Sequence, residues 1–437
     1  MSQWQRQFRT NPDTPFALSN ARIPAGMSKT AGLPVAGDGL QAADLVIDAG
    51  RIAWVGPPGT RADLPNAHDL RSAMVWPATV DCHTHLDKGQ IWSRRPNPDG
   101  TFQGALAASG DDAAERPLPA DIRQRAEFQL RAAWAHGTAA IRTHVDASPG
   151  GVSLGVLAEL ARDWQDRIAV QVCPFVGPTS GMSELEDLAR WAAQRDGILS
   201  AFLYTTPELA AFVEQLFHLA DRFGLELDFH ADENLDPTSH CLRLVAETAI
   251  KRQFQGRILV GHCCALGVQS PDEAARTIEL VARAGIGVVT LPLCNAYLMA
   301  RTAGVTPRDR GFAPVHEMRA AGIPVAIASD NVRDPFYAYG DLDLVEVFRD
   351  AMRMMHLDHP VSDWAAATIA VAADLIGLDK GRLDPGSDAD LIILSARNWS
   401  EFAARPQSNR VVLRAGQPVD TTPPEFSELD DIRGARP

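Results

Sequence analysis

Between residues 75 and 330 the chain alternates short β-rich runs with segments of helical periodicity, and this alternation constrains the fold more than any other feature. The β-rich runs cover residues 75–87, 139–146, 167–176, 197–206, 225–233, 257–264, 285–293 and 324–330. Helical periodicity occupies the segments between them, for example 120–136, 209–223 and 270–284. Strands that alternate with helices form parallel sheets. Eight such strands predict an α/β fold with a closed (β/α)8 TIM barrel.

Strand-like runs separated by Gly and Asp turns also lie outside the barrel region. They cover residues 16–23, 43–47, 51–55, 389–394 and 410–413. A chain of 437 residues is long enough for a large domain and a smaller one. We therefore predict a small β-sandwich-like domain from residues 1–74 and 380–437, and a barrel domain from residues 75–379.

Two segments are predicted to be irregular. Residues 88–119 are rich in Gly, Asp, Arg and Pro, and loops of this length in a compact domain are commonly functional lids. Residues 421–437 are predicted to be a loose tail.

The charge of the chain argues against polyanionic partners. The formal net charge is −14, and lysine is scarce, at Lys29, Lys88, Lys251 and Lys380. A nucleic-acid-binding surface needs a concentration of positive charge. We therefore expect no nucleic acid polymer as a partner.

The cysteines and the hydropathy favour a cytoplasmic protein that does not bind membranes. The six cysteines show no CxxC spacing, and five lie in or beside apolar runs, which is typical of buried free thiols in a reducing compartment. There is no stretch of eighteen unbroken apolar residues and no apolar signal core near the N-terminus.

Polar residues mark the ends of the predicted barrel strands, where barrel enzymes carry their active sites. His83 and His85 alternate along the first strand, so both imidazoles point to one side and form a chelate for a divalent metal. Strand two ends with His144 and Asp146, strand five with His230 and Glu233, strand six with His262, and strand eight with Asp330.

Three of these residues need a closer interpretation of their role. Glu233 has the position of a proton carrier beside a metal, or of an acid that caps the next helix. His262, taken alone, is more often a core histidine, but the polar residues at the other strand ends favour a place in the site. Asp330 is a fourth metal ligand and a base for metal-bound water, because a buried carboxylate is costly unless it is paired or binds a cation.

The chain resembles the amidohydrolase superfamily over nearly its whole length. The pattern is His-x-His on strand one, histidines on strands five and six and aspartate on strand eight, carried here by His83, His85, His230, His262 and Asp330. Further motifs look like the cytosine deaminase branch: His83-Thr-His-Leu-Asp87, Arg142-Thr-His-Val-Asp146, His230-Ala-Asp-Glu233, Pro292-Leu-Cys-Asn295 and Ser329-Asp-Asn-Val-Arg-Asp-Pro-Phe336. The resemblance implies one divalent ion, zinc or iron, and a homo-oligomer.

The resemblance also implies a role for each residue. Dinuclear relatives carry a carboxylated lysine at the end of strand four, whereas this chain has no lysine between Lys88 and Lys251, so a single ion is predicted. The implied metal ligands are His83, His85, His230 and Asp330. The implied catalytic residues are Glu233, which would carry a proton from water to a ring nitrogen, His262, which would contact the attacking water or the tetrahedral centre, and Asp330.

The predicted pocket departs from cytosine deaminases. Those enzymes have a glutamine after strand three, where this chain has Phe175. Asn331 replaces the acid that usually follows the strand-eight aspartate, and Phe336 replaces a tryptophan. We predict that these three residues contact the substrate, and that the substrate differs from cytosine, because an unpaired polar edge at a recognition site changes selectivity by orders of magnitude.

Three hypotheses for function remain open. The first is a metal-dependent deaminase of cytosine or a related amino-substituted N-heterocycle, which releases ammonia through a metal-activated hydroxide. The second is an amidohydrolase that cleaves another C–N bond, in an alkylamino-triazine or a cyclic amide. The third is a non-catalytic protein on a hydrolase barrel, which the complete set of ligands disfavours.

Overall fold

The computed structural model describes residues 14–115, 118–147, 151–358 and 364–431. They form two compact units. The first contains the described residues of Met1–Asp81, Arg131–Ala140 and Leu342–Pro424. The second contains those of Cys82–Leu130, Ile141–Asp341 and Glu425–Pro437. The domain boundaries near residues 74 and 380 stay a prediction.

The strands of the described chain fall into three groups. Five come first: β1 (Phe16–Ile23), β2 (Gln41–Asp48), β3 (Arg51–Gly56), β4 (His68–Asp69) and β5 (Met74–Pro77). Eight follow: β6 (Thr79–Thr84), β7 (Thr138–Asp146), β8 (Ala169–Val176), β9 (Ile198–Leu203), β10 (Glu226–Ala231), β11 (Ile258–His262), β12 (Gly287–Thr290) and β13 (Val325–Ile327). Three come last: β14 (Leu391–Leu394), β15 (Val411–Arg414) and β16 (Gln417–Pro418).

The first and last groups form one sheet, in the order β16-β15-β14-β5-β1-β2-β3 with β4 beside β1. The two ends of the chain meet where β14 pairs antiparallel with β5 and Ile392 lies opposite Trp76. Trp76 is fully buried, and its ring stacks on Phe402 with a centroid distance of 5.2 Å. The prediction that both ends of the chain build one β-rich unit is confirmed.

The predicted first barrel run is divided in the structure. Residues 74–77 belong to the terminal sheet as β5, and the barrel strand β6 begins at Thr79. Pro77 has no amide hydrogen, and the chain changes partners directly after it. The N–H of Ala78 donates to the carbonyl of Asp390, and the N–H of Thr79 donates to the carbonyl of Gly137.

The middle group forms an eight-stranded sheet in sequential order from β6 to β13. The neighbouring strands from β8 to β13 pair in parallel, for example β9 with β10 and β10 with β11. A parallel bridge between Thr84 and Asp330 joins the first strand to the last, and the Asp330 N–H donates to the His83 carbonyl at 3.0 Å. The predicted (β/α)8 barrel is confirmed, and its closing contact lies among the predicted site residues.

The described helices are α1 (Phe102–Glu115), α2 (Pro119–His136), α3 (Val152–Trp164), α4 (Met182–Ala193), α5 (Leu209–Phe223), α6 (Cys241–Arg252), α7 (Pro271–Arg283), α8 (Pro292–Leu298), α9 (Val315–Ala320), α10 (Leu344–Met354), α11 (Ala370–Leu375) and α12 (Trp399–Ala404). Within the residues that the structure describes, none of them has the length and apolarity needed to cross a bilayer.

Two predictions of irregular structure are wrong. The segment 88–119 contains α1, because its alanines favour a helix and the Thr101 hydroxyl accepts from the Gly104 N–H at its start. Residues 116 and 117 lie outside the described residues. The C-terminal segment is ordered as far as residue 431, since the Phe426 ring packs 5.7 Å from the ring of Phe128 and Leu429 is buried. Residues 432–437 lie outside the described chain.

Candidate metal centre and active site

Four side chains with metal-binding atoms converge where the barrel closes. His83 Nε2 and His85 Nε2 lie 3.1 and 3.2 Å from His230 Nε2. The same two nitrogens lie 3.7 and 3.5 Å from Asp330 Oδ1. All four residues are at most 5% exposed. The structure therefore brings together the four residues predicted to hold the metal.

The donor set fits one divalent cation. Ligand atoms at about 2.1 Å from a tetrahedral ion are about 3.4 Å apart, which matches the separations above. Burial lowers the pKa of His83, His85 and His230, and neutral imidazole is the form that binds metal. The Nδ1 of His85 donates to the carbonyl of His144 at 3.2 Å, which leaves the lone pair of Nε2 for the centre.

The chain reaches the centre through left-handed turns at the strand ends. Asp232, His262 and Asp330 have φ angles of 54°, 71° and 67°, which non-glycine residues adopt uncommonly and at a cost. The Asp232 carboxylate accepts hydrogen bonds from the backbone of Cys241 and Leu242, at 2.9 and 3.0 Å, at the start of α6. Asp232 is thus the helix-capping acid, and the alternative reading of Glu233 as that cap is wrong.

Glu233 instead lies in the site, beside His262. Its Oε1 is 3.4 Å from His262 Nδ1. Burial and the adjacent carboxylate of Asp330 raise the pKa of Glu233 well above its usual range, and burial lowers the pKa of His262 to about 3. A buried carboxyl with a raised pKa can hold a proton near neutral pH and pass it on.

His262 has a defined tautomer. The Asn295 amide donates to His262 Nδ1 at 3.0 Å, so Nε2 carries the proton and is a hydrogen-bond donor. Gly261 precedes it, and a Cβ at that position would lie 2.9 Å from the His83 ring. The glycine therefore permits the close approach of the His83 ring.

Three buried side chains, Arg142, Asp228 and His144, are linked by hydrogen bonds and lie next to His83. Arg142 Nη1 donates to Asp228 Oδ2 at 2.8 Å, and His144 Nε2 donates to Asp228 Oδ1 at 3.0 Å. The His144 ring lies 4.1 Å from the ring of His83 between centroids. Because Asp228 and Arg142 fix His144, and His144 packs against His83, this hydrogen-bonded chain holds the ring of a predicted metal ligand in place.

We expect Asp228→Asn to weaken metal binding about 10- to 100-fold, the usual effect of removing a group that orients a ligand. The measurement is a zinc dissociation constant from competition with a chelating dye. The matched control is Asp343→Asn, because Asp343 is also a buried carboxylate, paired with Arg410 at 2.7 and 2.5 Å. Equal zinc affinities in the two variants would refute the supporting role of Asp228.

The three residues predicted to contact substrate line the cavity at the metal centre. This site cavity, of about 70 Å³, is lined by three of the predicted metal ligands and by Phe102, Phe175, Phe202, Asn331 and Phe336, among others. Asn331 Nδ2 donates to Asp334 Oδ2 at 2.6 Å, and the Phe336 N–H donates to Asp334 Oδ1 at 2.8 Å. Burial raises the pKa of Asp334 to about 6. The two hydrogen bonds to Asp334 thus hold the Asn331 side chain and the Phe336 backbone in place.

Sequence reasoning gave no role to several side chains of the site. They are Phe102, Arg142, Phe202, Asp228 and Asn295. For Asp228 a signal existed: it stands two residues before His230 on β10, so both side chains point into the barrel. Nothing in the sequence indicated Phe102, which comes from the segment predicted to be a loop.

The amino-acid sequence also matches a known protein family, and the match extends beyond the site residues. Residues 179–420 match the model of the amidohydrolase family. The chain belongs to this family, which is metal-dependent, and is a hydrolase of C–N bonds other than peptide bonds.

Three individual proteins are similar to this chain in sequence or in structure. The chain is 46% identical to a pterin deaminase of Rhizobium rhizogenes strain K84, over 96% of this chain and 97% of that protein. It is similar in structure to 5-methylcytosine deaminase from Klebsiella pneumoniae liganded with 5-fluorocytosine, with a TM-score of 0.80, 24% identity and coverage of 92% and 97%. It is also similar to N-isopropylammelide isopropylaminohydrolase from Burkholderia multivorans, with a TM-score of 0.72, 26% identity and coverage of 93% and 98%.

Proposed function

We propose that this protein hydrolytically deaminates a pterin, a bicyclic amino-substituted N-heterocycle. The observation that carries the proposal is the 46% identity to a pterin deaminase across 96% of the chain. The site supports it, because His83, His85, His230 and Asp330 converge beside a buried carboxyl with a raised pKa. This combination is suited to replacing an exocyclic amine by water.

Each side chain has a task in this reaction. His83, His85, His230 and Asp330 would hold the ion, which when bound lowers the pKa of water to about 7 and so supplies hydroxide near neutral pH. Glu233 would deliver its proton to the ring nitrogen as the C=N bond becomes single. It would then take the proton of the hydroxyl group added to that carbon and pass it to the amine, which departs as ammonia while the carbon becomes a carbonyl. His262 would donate from Nε2 to the oxygen on the carbon under attack.

The walls of the site cavity suit a planar aromatic ring. The rings of Phe102 and Phe202 stack with a centroid distance of 6.0 Å, and Phe175 lies beside His85 and His230. Lys88 also lines the cavity, with Nζ 5.0 Å from the ring centroid of Phe175. Apolar walls with few polar groups are typical of small-molecule sites.

A second candidate is cleavage of an alkylamino group from a triazine. The similarity to N-isopropylammelide isopropylaminohydrolase favours it, at 26% identity. The same ligands and the same proton carrier would serve that reaction, but its product is an alkylamine.

The test is a substrate panel assayed for ammonia and for alkylamine: pterin, cytosine, 5-methylcytosine, isocytosine, an amino-triazine and N-isopropylammelide. We expect ammonia from pterin, with kcat/KM at least about 100-fold above every single-ring compound. Isopropylamine from N-isopropylammelide, without ammonia from pterin, would instead establish the second candidate.

We further infer that the ion is zinc or iron, and that the protein is a cytoplasmic homo-oligomer. Histidine and carboxylate ligands suit either metal. All six cysteines are buried and free, which fits a reducing compartment. Elemental analysis of protein purified without chelator, and its mass by light scattering, test the metal and the assembly.

A further inference from the structure

A second cavity adjoins the site cavity. This side cavity has a volume of about 430 Å³, against about 70 Å³ for the site cavity. The two share four wall residues, Lys88, Leu106, Asp146 and Phe336. The side cavity is therefore the nearest space for a substituent on a ring that occupies the site cavity.

The walls of the side cavity are mainly apolar. Ile91, Leu106, Ile122 and Val152 form much of the lining, and the hydroxyls of Ser109 and Ser153 add polar points. Helix α1 supplies the wall from Leu106 to Ala114. Such a lining favours an alkyl stem over a charged group.

One buried acceptor in this wall has no hydrogen-bond donor among the described residues. Asp87 is 8% exposed, and its Oδ2 accepts from the Asp146 N–H at 3.3 Å. Its Oδ1 has no hydrogen bond within the described part of the chain. A buried acceptor without a donor is costly, so a donor on the ligand would be stabilised here.

Two other charged groups of the wall already have partners. Arg125 donates to the carbonyls of Asp87 and Gly89, at 2.8 and 2.7 Å, and Asp112 accepts from Arg94 at 2.8 Å. Lys88 stands at the junction of the two cavities, with Nζ 5.2 Å from the ring of Phe336. A cation at the junction disfavours a second cation beside it. A neutral hydroxyl is therefore the better donor to Asp87.

We propose that the side cavity is a substrate subsite for a short hydroxyalkyl arm on the heterocycle. Its apolar stem packs against α1 and Ile122, and its hydroxyl donates to Asp87 Oδ1. This inference rests on the proposed function, since the arm is carried by the ring that the metal centre deaminates.

The test compares three compounds with wild-type protein: unsubstituted pterin, pterin with a propyl arm, and pterin with a hydroxypropyl arm, each arm on the ring remote from the amine. We expect kcat/KM to rise by about 10-fold or more from the bare ring to the hydroxypropyl compound. The propyl compound should fall between them, because it fills the cavity without donating to Asp87.

Ser109→Trp fills the side cavity and is the informative variant. We expect it to lower kcat/KM for the hydroxypropyl compound about 10-fold and to leave unsubstituted pterin within about twofold. Ala107→Trp is the matched control, since Ala107 is an exposed residue of the same helix and is not among the residues lining either cavity. It should leave both values unchanged.

The results separate the two proposals. Equal kcat/KM for the bare and the hydroxypropyl rings, or an equal loss on both in Ser109→Trp, would overturn the subsite while the deaminase assignment stands. Release of no ammonia from any of the three compounds would overturn the proposed function, and the subsite with it.

Discussion

His230→Ala should abolish metal binding and activity together. His230 Nε2 lies 3.1 and 3.2 Å from the Nε2 atoms of His83 and His85, the other two histidines predicted to bind the metal. Its removal would therefore take away a donor that lies close to both of them. We expect metal affinity to fall by more than about 100-fold, beyond the usual cost of losing only a supporting group. Elemental analysis after gel filtration should find about one metal ion per chain in the wild type and almost none in the variant.

The control for this prediction is His218→Ala. His218 is an exposed residue of α5, so the same change there should retain the ion and the activity. A His230→Ala protein that keeps a full equivalent of metal would show that His230 is not a ligand.

Glu233→Gln should separate metal binding from turnover. The glutamine amide would keep the size and polarity of the side chain but could not accept or release the proton that the reaction requires. We expect kcat to fall by about 10²- to 10⁴-fold, the usual contribution of a general acid–base, with metal content unchanged. Steady-state kinetics and elemental analysis on the same preparation measure both quantities.

Glu247→Gln is the matched control, because Glu247 is an exposed residue of α6 and should tolerate the change. Near-normal turnover in Glu233→Gln would assign the proton transfer to another group. Loss of the metal in that variant would mean that Glu233 contributes to holding the ion.

The main site residues could be predicted because each occupies a strand end. Strand periodicity places His83 and His85 on one face, and a parallel barrel brings the ends of all its strands to one rim. The left-handed turns at the strand ends could not be predicted from strand periodicity. The sequence gives no sign that Asp232 turns to cap α6 while Glu233 enters the site, because that choice depends on a φ of 54° at Asp232.

The supporting residues were harder to predict because they depend on tertiary pairing. Arg142 and Asp228 belong to β7 and β10, which are not neighbours in the sheet, and they meet across the barrel interior. Helix α1 was missed for a different reason. Its two glycines and its short apolar side chains give weak helical periodicity, and its position against the site cavity is set by packing.

The most direct test of the account is the reaction of metal-loaded protein with pterin in water enriched in ¹⁸O. Hydrolytic deamination predicts one ammonia per product molecule, and one ¹⁸O atom in the product at the carbon that carried the amine. A product without ¹⁸O, or consumption of pterin by ring opening without ammonia, would contradict the account.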